Sequence, residues 1–129
     1  MEPAKFSKTD IDNFVLDEID SVPHLEALLI LRSQAPKPLS PEEASEQLYI
    51  PLPRALGVLQ DLVRRNLAQA TDDGRNYSYA ASGNRDLLIA QVEITYRREL
   101  LRISNMIHSK ASPAVRDFAR AFRITKDGQ

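Results

Sequence analysis

The chain contains no cysteine, which removes disulfide staples, thiolate metal sites and thiol redox chemistry together. Glycine is scarce, 4 residues in 129, so a glycine-rich phosphate cradle is not expected. Long apolar runs are also missing. The most apolar stretch, Leu25 to Leu31, is interrupted by Glu26 and falls well short of the roughly 20 residues a membrane helix needs. The amino terminus has no signal-peptide layout, so the expected location is the cytoplasm and no membrane partner is expected. His24 has no second ligand at a metal-binding spacing, so no metal site is expected. No Ser/His/Asp grouping or carboxylate cluster stands out, and the expectation is a protein without catalytic residues or a cofactor.

What remains is enough for one domain with a real core: 43% of the residues are hydrophobic. The net charge of −1 hides an uneven distribution. Residues 1–20 carry 2 basic and 6 acidic side chains, residues 21–82 carry 6 and 7, and residues 83–129 carry 9 and 5. Three segments are expected on these boundaries: an acidic amphipathic helix (1–20), a central domain (21–82), and a basic helical end (83–129) suited to dimerisation.

In the acidic segment Ile11, Phe14, Val15 and Ile19 recur at helical spacing after Thr9 and Asp10, which are candidate caps. The outer charges Asp12, Asp17 and Glu18 are either solvated or in contact with the basic end. A second helix is expected from Ser21 to Ser33, with Leu25, Leu28, Leu29 and Ile30 inward and Ala35-Pro36-Lys37-Pro38 stopping it.

The stretch from Ser40 to Ala80 organises the chain. Ser40-Pro41-Glu42-Glu43 has the serine, proline and glutamate of a capped helix start, and Ala44 and Leu48 share a face. A short turn through Tyr49, Ile50, Pro51, Leu52 and Pro53 follows, because residues before proline avoid the helical region. Ala55, Leu59, Leu62 and Val63 then predict a second amphipathic helix ending near Asn66. Leu67 to Ala70 and Arg75 to Tyr79 flank Thr71-Asp72-Asp73-Gly74, a hairpin signal.

Helix, turn, helix, hairpin is the winged-helix order. Through Glu43-Ala44, Leu48, Ile50, Ala55, Leu59, Leu62 and Asn66-Leu67, the chain resembles the winged helix-turn-helix domains of bacterial transcription regulators, the broad class that includes the MarR and PadR groups. The resemblance covers about the middle half of the chain. It implies a mainly α fold with a small β-hairpin wing and a long carboxyl-side helix. It also implies double-stranded DNA as partner and a homodimer built on a terminal helix.

In such a domain the second helix of the motif enters the major groove. With Ala55, Leu59 and Leu62 inward, the outward early positions are Leu52, Pro53, Arg54, Leu56, Gly57 and Val58, then Gln60. Arg54 and Gln60 are the candidate base readers, Arg64 and Arg65 candidate phosphate contacts, and Arg75 a candidate wing contact beside the opposing charges of Asp72 and Asp73. The apolar share of this face keeps a second possibility open, a winged helix that docks a protein partner and binds little DNA.

Beyond the hairpin, one helix is expected from Arg85 to His108, about 36 Å long. Ile89, Val92, Tyr96, Leu100, Ile103 and Ile107 form its stripe and are the expected dimer interface, while Leu88, Ile94, Leu101 and Met106 widen the apolar surface. The alternative is that the helix folds fully onto its own core. A last helix from Ala114 to Ile124 carries Arg116, Arg120 and Arg123 on one face, which is either solvated or aimed at phosphates.

Overall fold

A computed structural model of the chain describes residues 6–111, so the expected helix from Ala114 to Ile124 and its arginines lie outside the described residues. The protein is mainly α-helical with one small antiparallel sheet. Its order is α1 (Lys8–Glu18), α2 (Val22–Gln34), α3 (Pro41–Leu48), α4 (Leu52–Arg64), β1 (Ala68–Ala70), β2 (Tyr77–Tyr79), α5 (Gly83–Arg98) and α6 (Leu100–Ala111).

Local chemistry sets most boundaries. The α1 cap is Ser7 rather than Thr9 or Asp10: its hydroxyl accepts from the Asp10 amide at 3.0 Å while the Asp10 carboxylate accepts from the Ser7 amide at 2.9 Å. That reciprocal pair satisfies two of the donors that a helix start leaves open. Ser40 and Glu43 make the same box at the start of α3. Tyr49 ends α3 in the left-handed region at φ 56°, where Pro51 and Pro53 prevent the helix from continuing. Past α4, Asn66 is also left-handed at φ 61°, and the Leu67 amide returns to the Leu62 carbonyl at 2.9 Å. This is the hydrogen bond that reverses a chain at a helix end.

The hairpin pairs Ala68 with Tyr79, Gln69 with Ser78 and Ala70 with Tyr77. Its turn uses Gly74 at φ 70°, a conformation glycine adopts without steric cost. Tyr77 also exchanges backbone hydrogen bonds with Leu39, at 2.6 and 2.9 Å, which fastens the α2–α3 connection to the sheet.

One continuous hydrophobic core joins all these elements, from Ile11, Phe14, Val15 and Ile19 through Leu25, Leu28, Leu31, Leu59 and Leu62 to Ile89, Val92, Tyr96, Ile103 and Ile107. Two expectations change here. The carboxyl-side helix is not single: Glu99, at φ −127° and ψ 50°, separates α5 from α6 without help from proline or glycine. The bend lets α6 pack on α1 and α2 while α5 also reaches α1, so tertiary packing outweighs helix propensity at that residue. The expected dimer seam is also corrected. Ile89, Val92, Tyr96, Ile103 and Ile107 are buried within this single chain, and only Leu100, 51% exposed, stays outside.

The acidic face of α1 is engaged as well. Arg102 binds Asp12 through contacts of 3.0 and 3.1 Å, Glu18 lies 3.5 Å from Arg85 and 3.6 Å from Arg65, and the Lys110 ammonium donates to the carbonyls of Val15 and Leu16. Contact with the carboxyl-side helices is therefore realised inside the molecule. Each pair is partly exposed and contributes less than about 1 kcal/mol.

Because the stripe is core, Ile103→Ala or Ile107→Ala is expected to cost about 2–5 kcal/mol of stability, read from denaturant midpoints. Leu101→Ala, at a position 76% exposed in the single chain, should change the stability of the dilute monomer by no more than about 0.5 kcal/mol.

Candidate nucleic-acid interface

Helix α4 buries Ala55, Val58, Leu59 and Leu62. Val58 therefore points inward, contrary to its expected outward place, and Val63 is only partly buried. At 100° per residue the buried set leaves Pro53, Leu56, Gly57, Gln60 and Arg64 on the opposite face. Nothing lies within 4 Å of where a Gly57 side chain would begin, so the middle of that face is uncovered by any described element.

The nominated side chains separate into two groups. Arg54 and Gln60 are exposed on α4, and Arg54 has no ion pair among the described residues. Arg75 is exposed on the hairpin, where its backbone amide donates to the Asp73 carboxylate at 3.0 Å. The same carboxylate accepts from the Thr71 hydroxyl at 2.5 Å, and these bonds hold its pKa below the usual carboxylate value. Asp73 is thus hydrogen-bonded within its own hairpin, and both it and Asp72 remain exposed acids beside Arg75.

The second group is committed inside the molecule. Arg65 donates to Asp20 at 2.7 Å and to the Asp17 carbonyl at 2.8 Å. It serves the α1–α2 connection and is not placed as a free phosphate contact. Arg85 donates to the carbonyls of Arg65 and Asn66, a cation on the last carbonyls of α4. Arg64 is intermediate: it pairs with Asp61 one turn back, yet its side chain is 71% exposed.

The structure also assembles a group that sequence spacing did not reveal. His24, on α2, lies between Ser21, whose Oγ is 2.5 Å from Nδ1, and Asp61 of α4, whose carboxylate is 2.8 Å from Nε2. Asp20 stands close by, and one ligand atom each of Asp20, His24 and Asp61 fall within 4.8 Å of one another. The sequence has no second ligand at a metal-binding spacing from His24, and the fold brings Asp20 and Asp61 to it from other positions. Each residue of the group already has a partner: Asp20 accepts from Arg65, Asp61 pairs with Arg64 and His24, and His24 also pairs with Ser21. The helical spacing of Ser21 and His24 was readable from sequence; Asp61, 37 positions away, was not.

Burial lowers the His24 pKa, outweighing the nearby Asp20 carboxylate, and Arg54, Arg65 and Lys110 push the same way. The ring is neutral at pH 7, donating from Nε2 to Asp61 and accepting the Ser21 hydroxyl at Nδ1. This chain of hydrogen bonds ties the start of α2 to the third turn of α4 and fixes how α4 sits on the core.

The site therefore belongs to a mainly α protein with an uncovered helix face beside a two-stranded hairpin. No family model matches the chain, and no curated protein matches it. Among solved structures, the crystal structure of RV1404 from Mycobacterium tuberculosis is similar, with a TM-score of 0.50 at 17% identity over 94% of this chain and 84% of that one. At that identity the likeness concerns the fold alone.

Two outcomes follow from the His24 group. Asp61→Ala leaves a buried donor unpaired and should destabilise the protein by about 1–3 kcal/mol. A histidine whose folded pKa lies below its unfolded value of about 6.5 contributes stability that is complete above that pH and declines as pH falls through and below it. Denaturation at pH 7.5 and 5.5 should show this loss in the parent, and His24→Gln should flatten it.

Proposed function

We propose that the chain is a winged-helix DNA-binding regulator in which α4 enters the major groove and the β1–β2 hairpin is the wing. The observation that carries this reading is Gly57. A glycine inside a helix costs about 0.5–1 kcal/mol relative to alanine, and among the described residues no neighbour needs its missing side chain. The cost makes sense if something outside the chain approaches the α4 backbone closely, as a duplex does. Arg54, Gln60 and Arg64 surround that glycine and supply base-edge and phosphate donors, and Arg75 reaches from the wing. Arg65 leaves the contact set because it is spent on Asp20 and Glu18.

The regulator acts as a homodimer in this reading, with an interface moved from the buried stripe to the opposite side. Leu87 and Ile94 share the outer face of α5 and are 39% and 45% exposed, and past the break at Glu99 Leu100 and Leu101 open α6 at 51% and 76% exposed. Two copies of that face, packed together, would cover four otherwise solvated large side chains per chain. Ile94→Asp with Leu101→Asp should convert a sedimenting dimer to a folded monomer; a parent that sediments as a monomer at micromolar concentration refutes this part.

A second reading rests on Tyr49, 94% exposed, with Leu52 and Leu56, 44% and 36% exposed, at the entry to α4. An apolar patch there suits a protein partner better than a phosphate backbone. Fluorescence anisotropy on random-sequence duplex at several salt concentrations separates the two. Three arginine contacts per protomer give a log–log slope of about −2 to −3 per protomer, and a protein-docking module gives none. Gly57→Ala should raise stability by about 0.5–1 kcal/mol while weakening duplex binding, a combination that a merely tolerated glycine would not produce.

A further inference from the structure

Between α2, α3 and α5 lies a partly open cavity of about 280 Å³. Its apolar wall is Leu29 and Ile30 of α2 with Leu48 of α3. Leu29 is buried, while Ile30 and Leu48 are partly buried hydrophobics packed against the core. The polar side has two carboxylates, Glu26 and Glu93, one guanidinium, Arg97, and the uncharged Ser33 and Gln47.

The two acids are not equivalent. Glu93 is neutralised, since Arg97 binds it at 2.8 Å and Arg32 lies 3.6 Å away. Glu26 has no cation among the described residues. Its one hydrogen bond comes from the Tyr96 hydroxyl at 3.2 Å. The Tyr96 ring is 7% exposed and its pKa is raised by burial and by Glu26 itself, so the phenol stays protonated and keeps donating. Tyr96 thus holds a charged oxygen at the mouth of an apolar cavity and leaves its remaining acceptor capacity open.

We propose that this cavity binds a small organic cation, a primary ammonium group on a compact apolar body. The ammonium pairs with Glu26, and the body lies on Leu29, Ile30 and Leu48. Charge decides the sign: with Glu93 and Arg97 cancelling, the cavity carries the uncompensated charge of Glu26, which favours a cation and repels a carboxylate. Three aliphatic side chains facing a polar rim with one uncompensated charge give such a ligand both a surface to lie on and a group to orient it. The inference does not depend on what α4 contacts.

Phenethylamine is a suitable probe, with 3-phenylpropionate as an anion of similar shape. Titration of each into protein with labelled leucine and isoleucine methyl groups should give saturable shifts at Leu29, Ile30 and Leu48 with the amine, at a Kd of about 1 mM or below. The anion should give none. Glu26→Gln keeps a hydrogen bond to Tyr96 and removes the charge at an exposed position, so its thermal midpoint should match the parent while amine affinity falls about tenfold or more. Equal binding of the anion, unchanged affinity in Glu26→Gln, or no saturable shift at these methyl groups up to about 10 mM amine would each overturn the proposal.

Discussion

A helix stripe that is buried in its own protomer cannot also be a seam between two protomers, and this constraint shapes the rest of the molecule. Ile89, Val92 and Tyr96 from α5 and Ile103 and Ile107 from α6 close the core over α1 and α2. They can do so together because the helix axis breaks at Glu99. Three things follow from that closure. The acidic side of α1 meets Arg85, Arg102 and Lys110; the outer side of α5 and α6 is left with Leu87, Ile94, Leu100 and Leu101; and Tyr96 reaches the Glu26 carboxylate at the mouth of the α2–α3–α5 cavity.

Helix α4 is fixed at its carboxyl-terminal end by charge and polar contacts and not by apolar packing alone. Asp61 accepts from His24, Arg65 holds the α1–α2 connection, and Arg85 caps the final carbonyls. These bonds gather Asp61 and Arg65 toward α1 and α2, with Arg54 on the same flank and near enough to bear on His24, and the opposite flank keeps Gln60 and Arg64 beside an uncovered Gly57. Arginines on one helix can thus do different work: Arg64 and Arg65 are adjacent in sequence, but their 100° separation sends one toward solvent and the other onto Asp20.

Much of the local structure was legible in the residues because it depends on short-range chemistry. Ser40 and Glu43 specify a capping box wherever they are folded, Asn66 tolerates the left-handed turn that ends α4, and Gly74 allows the hairpin. The inward stripe of α1 and most of that of α4 follow from helical period alone, although Val58 shows that a face read from three leucine and alanine positions is too narrow by one residue. The α1 cap fell two residues early because Ser7 and Asp10 form a reciprocal pair that a lone Thr9 cannot match.

The sequence by itself determined the first four helices, where most of them stop, and the β1–β2 hairpin, since each of these is settled by residues within a few positions of one another, whereas the break at Glu99 was not. Tertiary structure decided which side of each element is used. A wide apolar surface on the carboxyl-side helices is equally compatible with a second chain and with their own core until α6 bends onto α1. Arg65 is a surface arginine by spacing and an internal brace by position, because Asp20 comes from 45 residues away. His24 gains Asp61 in the same manner. Contacts between distant positions depend on how whole helices are stacked, and helical period carries no record of that.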